Sequence, residues 1–297
     1  MVRRGRFVAL VLVVVVATAG CAFVSRASVD SAGVQGNGNS TELFTSNPAI
    51  SGDGRYVAFT SDATNLVAGD TNLARDVFVR DLRTGITTRV SQGKGTLQAN
   101  GPSYSAAISG DGRYVAFTSD ATNVVDFDTN LATDVFVRDR QTGITTKDSL
   151  GGFRSSTAIE VAISGDGRYV AFTMEGDVSV HDRQTGTYDV VSVDSGGVQA
   201  NAGSELQAIS SDGRYVVFFS YATNLVAGDT NNSADVFVRD RQTGITTLAS
   251  VSNGGVWSDN DSFESAISSD GRYVAFSSSA GNLVAGDTNN RQDVFGG

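Results

Sequence analysis

The chain of 297 residues holds a single cysteine, Cys21, and a single histidine, His181. That scarcity excludes a disulfide within the chain and a zinc site built on histidine and cysteine. Two prolines against 34 glycines exclude a proline-rich disordered chain and leave room for many tight turns. Positive charge is also short: 22 Lys and Arg against 32 Asp and Glu give a formal charge of −10. An acidic surface repels a phosphate backbone, so no nucleic-acid partner is expected. Solubility, a cation or a basic partner fits the same balance. The apolar run from Phe7 to Ala19 falls short of the roughly 20 residues that a spanning helix needs.

What is abundant is repetition. Ala49 to Thr88 (AISGDGRYVAFTSDATNLVAGDTNLARDVFVRDLRTGITT) returns at Ala107 to Thr146, at Ala208 to Thr247 and from Ala266 onward, with a shortened copy at Ala162 to Gly186. A strand-rich repeat of this size implies stacked supersecondary units. In the first copy the strands read as A around Ala49-Ile50, B at Tyr56 to Ser61, C at Asp76 to Arg80 and D at Ile86 to Ser91. Val, Ile, Phe, Tyr and Thr dominate them, as a pleated surface prefers. Both faces of each sheet are apolar, so each sheet needs cover on both sides, which radially stacked blades supply.

Asp-Gly inside SGDGR or SSDGR marks a tight A–B hairpin, and DLRTG or DRQTG a C–D hairpin. The aspartates of these turns read as turn formers. The arginines of DGR (Arg55, Arg113, Arg168, Arg214, Arg272) and of VRD (Arg80, Arg138, Arg239) are expected to pair with turn and neighbouring-blade aspartates. In the third copy MEGD (Met174 to Asp177) replaces the long B–C loop. The last copy stops at Asp293-Val294-Phe295 without a D strand, while Phe23 to Asn37 resembles the D strand and following loop at Val190 to Asn201. The expectation is an all-β, five-bladed propeller of four-stranded antiparallel blades, closed by the N-terminal strand completing the last blade. Closure removes two sheet edges that would otherwise invite aggregation.

The DGRYVAF hairpin followed by DVFVRDxxTG resembles the TolB-type, WD-repeat-like propeller repeats of exported bacterial proteins, over Phe23 to Phe295. Propellers of that kind serve as binding platforms, as accessory domains of hydrolases and at times as enzymes. Nothing in the chain matches TolB's separate N-terminal domain. Residues 1–20 read as a signal peptide, with Arg3, Arg4 and Arg6 ahead of the apolar run. Residues 21–297 read as the propeller domain, five repeats with the third shortened. TAGC (Thr18 to Cys21) resembles the bacterial lipobox, which implies lipidation at Cys21; simple secretion after Ala17-Thr18-Ala19 is the other reading. The chain is therefore expected to be exported, as a lipoprotein or in secreted or periplasmic form, with a lipid anchor at Cys21 as its only membrane attachment.

Antiparallel order places A–B and C–D turns on one face and B–C and D–A loops on the other. The second set is long except in blade three, and long loops on a rigid scaffold carry function. The B–C loops repeat oxygen-bearing side chains at i, i+2 and i+6: Asp70, Asn72, Asp76; Asp128, Asn130, Asp134; Asp229, Asn231, Asp235; Asp287, Asn289, Asp293. These have two readings, a Ca²⁺-type site or a set of Asx-turns; the glycine and bidentate glutamate of a helical calcium loop are missing. The D–A loops carry Gln35 and Asn37, Gln98 and Asn100, Gln199 and Asn201, and Trp257 with Asn260. Amides beside the only tryptophan suit sugar hydroxyls and a stacking platform; plain surface loops are the bland alternative. Glu42, Glu160, Glu205 and Glu264 fall in corresponding places just before strand A, which argues for a rim rather than a glycosidase pair. No catalytic residue is expected, and no cofactor beyond a Ca²⁺ ion. The reading is a monomeric, non-enzymatic binding or scaffold module for a protein or glycan; a lectin, a carbohydrate-active enzyme or an accessory propeller of a hydrolase is the alternative.

Overall fold

The computed structural model describes residues 24–41, 47–95, 97–150, 160–289 and 291–297. The expected signal peptide, Cys21, Phe23 and Glu42 lie outside the described residues. Five antiparallel sheets follow one another along the chain. Blade one is β1 (Ala49–Ile50), β2 (Tyr56–Ser61), β3 (Asp76–Asp81) and β4 (Ile86–Arg89); blade two is β5 (Ser103–Ile108), β6 (Tyr114–Ser119), β7 (Asp134–Asp139) and β8 (Ile144–Lys147). Blade three is β9 (Val161–Ile163), β10 (Tyr169–Met174), β11 (Asp177–Asp182) and β12 (Thr187–Val190). Blade four is β13 (Ser204–Ile209), β14 (Tyr215–Ser220), β15 (Asp235–Asp240) and β16 (Ile245–Leu248), and the last is β17 (Ser262–Ile267), β18 (Val274–Ser278) and β19 (Asp293–Gly296). Strands pair in chain order, each with the next.

The expected fourth strand of the last blade is not there: β19 pairs with β18 alone among the described residues. No strand pairing that would close the ring is seen among the described residues.

The core lies between blades. Val77 and Val79 of β3 join Ile108, Val115 and Phe117 of blade two. Val135 and Val137 join Ile163, Val170 and Phe172, Val178 and Val180 join Leu206, Val216 and Phe218, and Val236 joins Val274 and Phe276. Facing strands within a blade stack Phe59 on Phe78, Phe117 on Phe136, Phe218 on Phe237 and Phe276 on Phe295, with ring centroids 5.8–5.9 Å apart. At roughly 1.5–3 kcal/mol for each buried side chain, this packing dominates the fold.

The A–B turns link the blades a second time. Gly52 N–H donates to Gly110 O, Gly110 to Gly165, Gly165 to Ser211 and Ser211 to Ser269, at 2.8–3.0 Å. Tyr56, Tyr114, Tyr169 and Tyr215 of the first four DGRY turns each lie over the turn glycine of the following blade. Gly112, at φ 71°, has the Tyr56 ring so close that a methyl group there would come within 2.1 Å of it. Arg140, Arg183 and Arg241 cap the same rings from outside, 4.4–4.9 Å from the centroids of Tyr56, Tyr114 and Tyr169.

The first four arginines of DGR pair with turn aspartates, as expected, but not with those of a neighbouring blade. Arg55, Arg113, Arg168 and Arg214 pair with Asp81, Asp139, Asp182 and Asp240 of their own blade, at 2.6–2.7 Å. The A–B and C–D turns of one blade lie side by side, so the nearest carboxylate belongs to the same sheet. Each arginine holds its aspartate well below the usual carboxylate range, with help from backbone N–H groups of the C–D turn.

Candidate binding face

The long loops are tied to one another through their side chains. Asn100 donates from Nδ2 to Thr122 Oγ1, and its Oδ1 accepts from Thr122 N. Asn201 does the same with Thr223, and Asn37 with Thr64. Gln98 Oε1 accepts from the backbone N–H of Thr71 and Asn72, while its Nε2 donates to Thr71 Oγ1. Gln199 Nε2 donates to Asp177 Oδ2. Three D–A loops are thus clamped by amides picked out from sequence: Asn37, Asn100 and Asn201 bond the B–C loop of their own blade, and Gln98 and Gln199 bond the preceding blade. In the last blade Asp259, not Asn260, takes the clamp position, accepting from Gly281 N.

The acidic loops divide by blade. In blade one the Arg89 guanidinium lies 3.0 Å from Asp70 and 3.3 Å from Asp76, and also donates to Gln98 Oε1. In blade two Lys147 lies 3.1 Å from Asp128 and 2.7 Å from Asp134. In blade four the corresponding residue is Leu248, opposite Phe237 as Arg89 is opposite Phe78. There Asp235 is held by Asn231, Ser250 and Ser258, and Asp229 Oδ1 is buried with no hydrogen-bond partner. In the last blade Asp293 accepts from Asn289. Asn72, Asn130, Asn231 and Asn289 each accept a backbone N–H two residues on, the Asx-turn pattern.

Burial raises the carboxyl pKa of Asp70, and Asp76 beside it adds to the rise against the pull of Arg89. Burial raises Asp76, Asp134 and Asp229 too. For Lys147 burial works against the charge, but Asp134 and Asp128 outweigh it and the ammonium is held more tightly. No three carboxylate, histidine or cysteine groups converge as metal ligands among the described residues.

Trp257 occupies the place of Gln35, Gln98 and Gln199, as the bridges Val29–Gln35, Gln92–Gln98, Val193–Gln199 and Val251–Trp257 show. Its side chain is half-buried, so an indole stands where the other blades carry an amide clamp. The substitution was visible in sequence; the clamps it interrupts were not.

The remaining titratable groups sit elsewhere. Glu205 and Glu264 lie within β13 and β17 rather than before them, and Glu160 directly precedes β9. These strands contact one another around the inner side of the array. Burial, and then the Glu205 charge, push Glu160 up to about 7. A raised carboxyl makes the folded state weaker as pH rises from the unfolded value towards 7. Glu160→Gln is therefore expected to stabilise the protein by about 1–3 kcal/mol at pH 8, with the gain fading below about pH 4.5; parallel urea melts at the two pH values check it.

His181, on the C strand of blade three, sits against Asp148, with Nδ1 3.0 Å from its carboxylate and Arg183 Nε 3.1 Å from the same group. Its ring stacks on Tyr188 with centroids 4.2 Å apart. A cleft of about 620 Å³ opens beside these residues between blades two and three, away from the long loops.

No family model matches the chain, and no curated protein matches it. Solved structures do. TolB from Acinetobacter baumannii is 17% identical with a TM-score of 0.50, over 82% of this chain and 50% of that one. The TolB-named protein of Agrobacterium tumefaciens is also 17% identical at a TM-score of 0.50, over 86% of this chain and 81% of that one. The chain thus spans half the length of the Acinetobacter TolB. The fold is that of a TolB-like β-propeller.

Proposed function

We propose, from this TolB-like propeller fold, that the protein is an exported, non-enzymatic binding or scaffold module of the cell envelope, anchored through lipid at Cys21. Its ligand, a protein or a glycan, is held on the face built by the B–C and D–A loops. The ring is completed when the N-terminal strand joins the last blade. One observation carries the reading: similar loop pairs recur on one face, and those of blades one, two and four are locked by Asn–Thr hydrogen bonds. A preorganised surface loses little entropy on binding. The paired states of His181 and of the carboxylates in blades one and two support a non-catalytic role.

Trp257 favours a glycan as a second reading, because its half-buried indole stands where the neighbouring D–A loops carry an amide. A panel of soluble glycans and an envelope protein extract, titrated against Trp257 fluorescence, tests the face. Quenching lost in a variant with the blade-four D–A loop shortened is the expected result. No change with any ligand removes this face as the site. The acidic loops serve first as structure. The Asp229 and Asp235 pair, which has no Arg or Lys between its members, is where Ca²⁺ would bind. Calcium should then raise the melting temperature and EDTA reverse the rise; no shift with either removes the ion.

A further inference from the structure

The trailing side of the last blade is bare where every other blade is covered. Val294 is 79% exposed, whereas Val77, Val135, Val178 and Val236 at the same place in the other blades are at 0%. A cleft of about 560 Å³ runs along β19, lined by Val251, Phe276, Leu283, Val294 and Phe295, with Asp287 and Asp293 at its polar end. In blades one and two, the cation facing this carboxylate pair comes from the fourth strand, as Arg89 and Lys147. The last blade has the two carboxylates and no fourth strand.

The N-terminal segment matches that vacancy residue by residue. The bridges Val29–Gln35 and Gln92–Gln98 are equivalent, so Ser28 corresponds to Ser91 and Arg26 to Arg89. Arg26 already donates to Gln35 Oε1, as Arg89 does to Gln98 Oε1. Ser91 hydrogen-bonds Asp76 and accepts from Val77 N, a pair of bonds that Ser28 offers to Asp293 and Val294. The segment is anchored on blade one by Thr87 and Arg80, which donate to Val29 O and Asp30 O. Thr246 and Arg239 of blade four hold Val193 O and Asp194 O, just after β12, in the same way. It therefore sits on blade one as the end of a preceding blade's fourth strand sits on its neighbour.

We propose that Val24–Ser28 docks on the open edge of β19 as the fourth strand of the last blade, with Arg26 opposite Phe295 and its guanidinium between Asp287 and Asp293. This rests on the ring closure stated above and adds its register. Charge complementarity and the aligned serine select this segment over any other in the chain. The same closure brings the A–B turn of blade one against Tyr273, now 61% exposed, as Gly112 lies against Tyr56. An intramolecular partner also has the advantage of high effective concentration over a second copy.

The register of blade one, Val79 opposite Thr88, places Ser25 opposite Gly296. Directly opposed residues in an antiparallel pair are within disulfide reach. In the full chain carrying Cys21→Ser, the pair Ser25→Cys and Gly296→Cys should oxidise to an internal disulfide, while Ser25→Cys with Val294→Cys should not. Oxidation of the second pair alone leaves the ring closed but overturns the register. A disulfide-linked dimer overturns the proposal in favour of strand exchange between copies, and no disulfide in either pair overturns closure itself. Melting under reducing conditions confirms that both variants fold. Independently, Arg26→Glu should lower the melting temperature and added Asp287→Arg should restore part of it; equal losses with no recovery would overturn the ion cluster. Gly54→Ala carries only the backbone strain of φ 71° in an open array, because nothing lies within 4 Å of its added methyl, and in the closed ring it should hurt as much as Gly112→Ala, which adds a clash with a tyrosine ring.

Discussion

Replacing Phe117 by alanine is expected to cost about 3–5 kcal/mol of stability, read from urea or thermal unfolding. Phe117 is fully buried and sits where two packing systems meet. Its ring stacks on Phe136 within blade two, and it belongs to the cluster that includes Val77 and Val79 of blade one. Truncation removes the transfer energy of the ring and leaves a cavity at a blade junction. The surrounding strands are locked by ladder hydrogen bonds and cannot collapse into it. Arg113→Ala, four residues away on the same strand's approach, should shift the melt far less. Its guanidinium is part-exposed and its bond to Asp139 joins two surface turns. A loss at Phe117 no larger than that at Arg113 would mean that ion pairs rather than inter-blade packing carry the fold.

The contrast between these two residues is also the contrast between what the sequence displays and what it hides. Strand B of the first copy was readable as Tyr56 to Ser61, and the hairpins as Asp-Gly turns, because period-two patterning and turn chemistry are local. Inter-blade cover was readable as well, since strands apolar on both faces must be covered twice. Partner choice among polar groups was not. Arg55 reaches its own blade's Asp81 because two turns meet in space, which no spacing in the chain reveals. Gln98 and Asn100 looked free to meet a ligand; in three dimensions each faces a backbone N–H of another loop. The acidic loops were legible only as a pattern of oxygens. What decides their chemistry is one residue in the fourth strand, Arg89, Lys147 or Leu248, some distance along the chain. That variation is visible in ITTR, ITTK and ITTL once the register is known. The open edge of β19 was the least legible feature, because two ends far apart in sequence must be compared.

Arg89→Leu is expected to destabilise the protein by about 3–5 kcal/mol near pH 7, the usual consequence of removing one partner from a buried ion cluster. Asp70 and Asp76 are both buried and face the same guanidinium. Without it they are two like charges out of water, and their already raised carboxyl pKa values rise further. The sign of the pH dependence follows. A raised folded-state pKa leaves the folded protein binding more protons than the unfolded chain, so stability declines as pH rises through that window. Below the ordinary aspartate value both states are protonated and the penalty disappears. The gap between wild type and Arg89→Leu should therefore be widest at neutral pH and narrow towards pH 4. Blade four shows how the chain accommodates the same leucine: Leu248 is accompanied by Trp257 where blade one has Gln98. Adding Gln98→Trp to Arg89→Leu should accordingly recover part of the loss. A gap independent of pH would show that Arg89 acts by filling space, and that the paired carboxylates in these loops were neutral from the start.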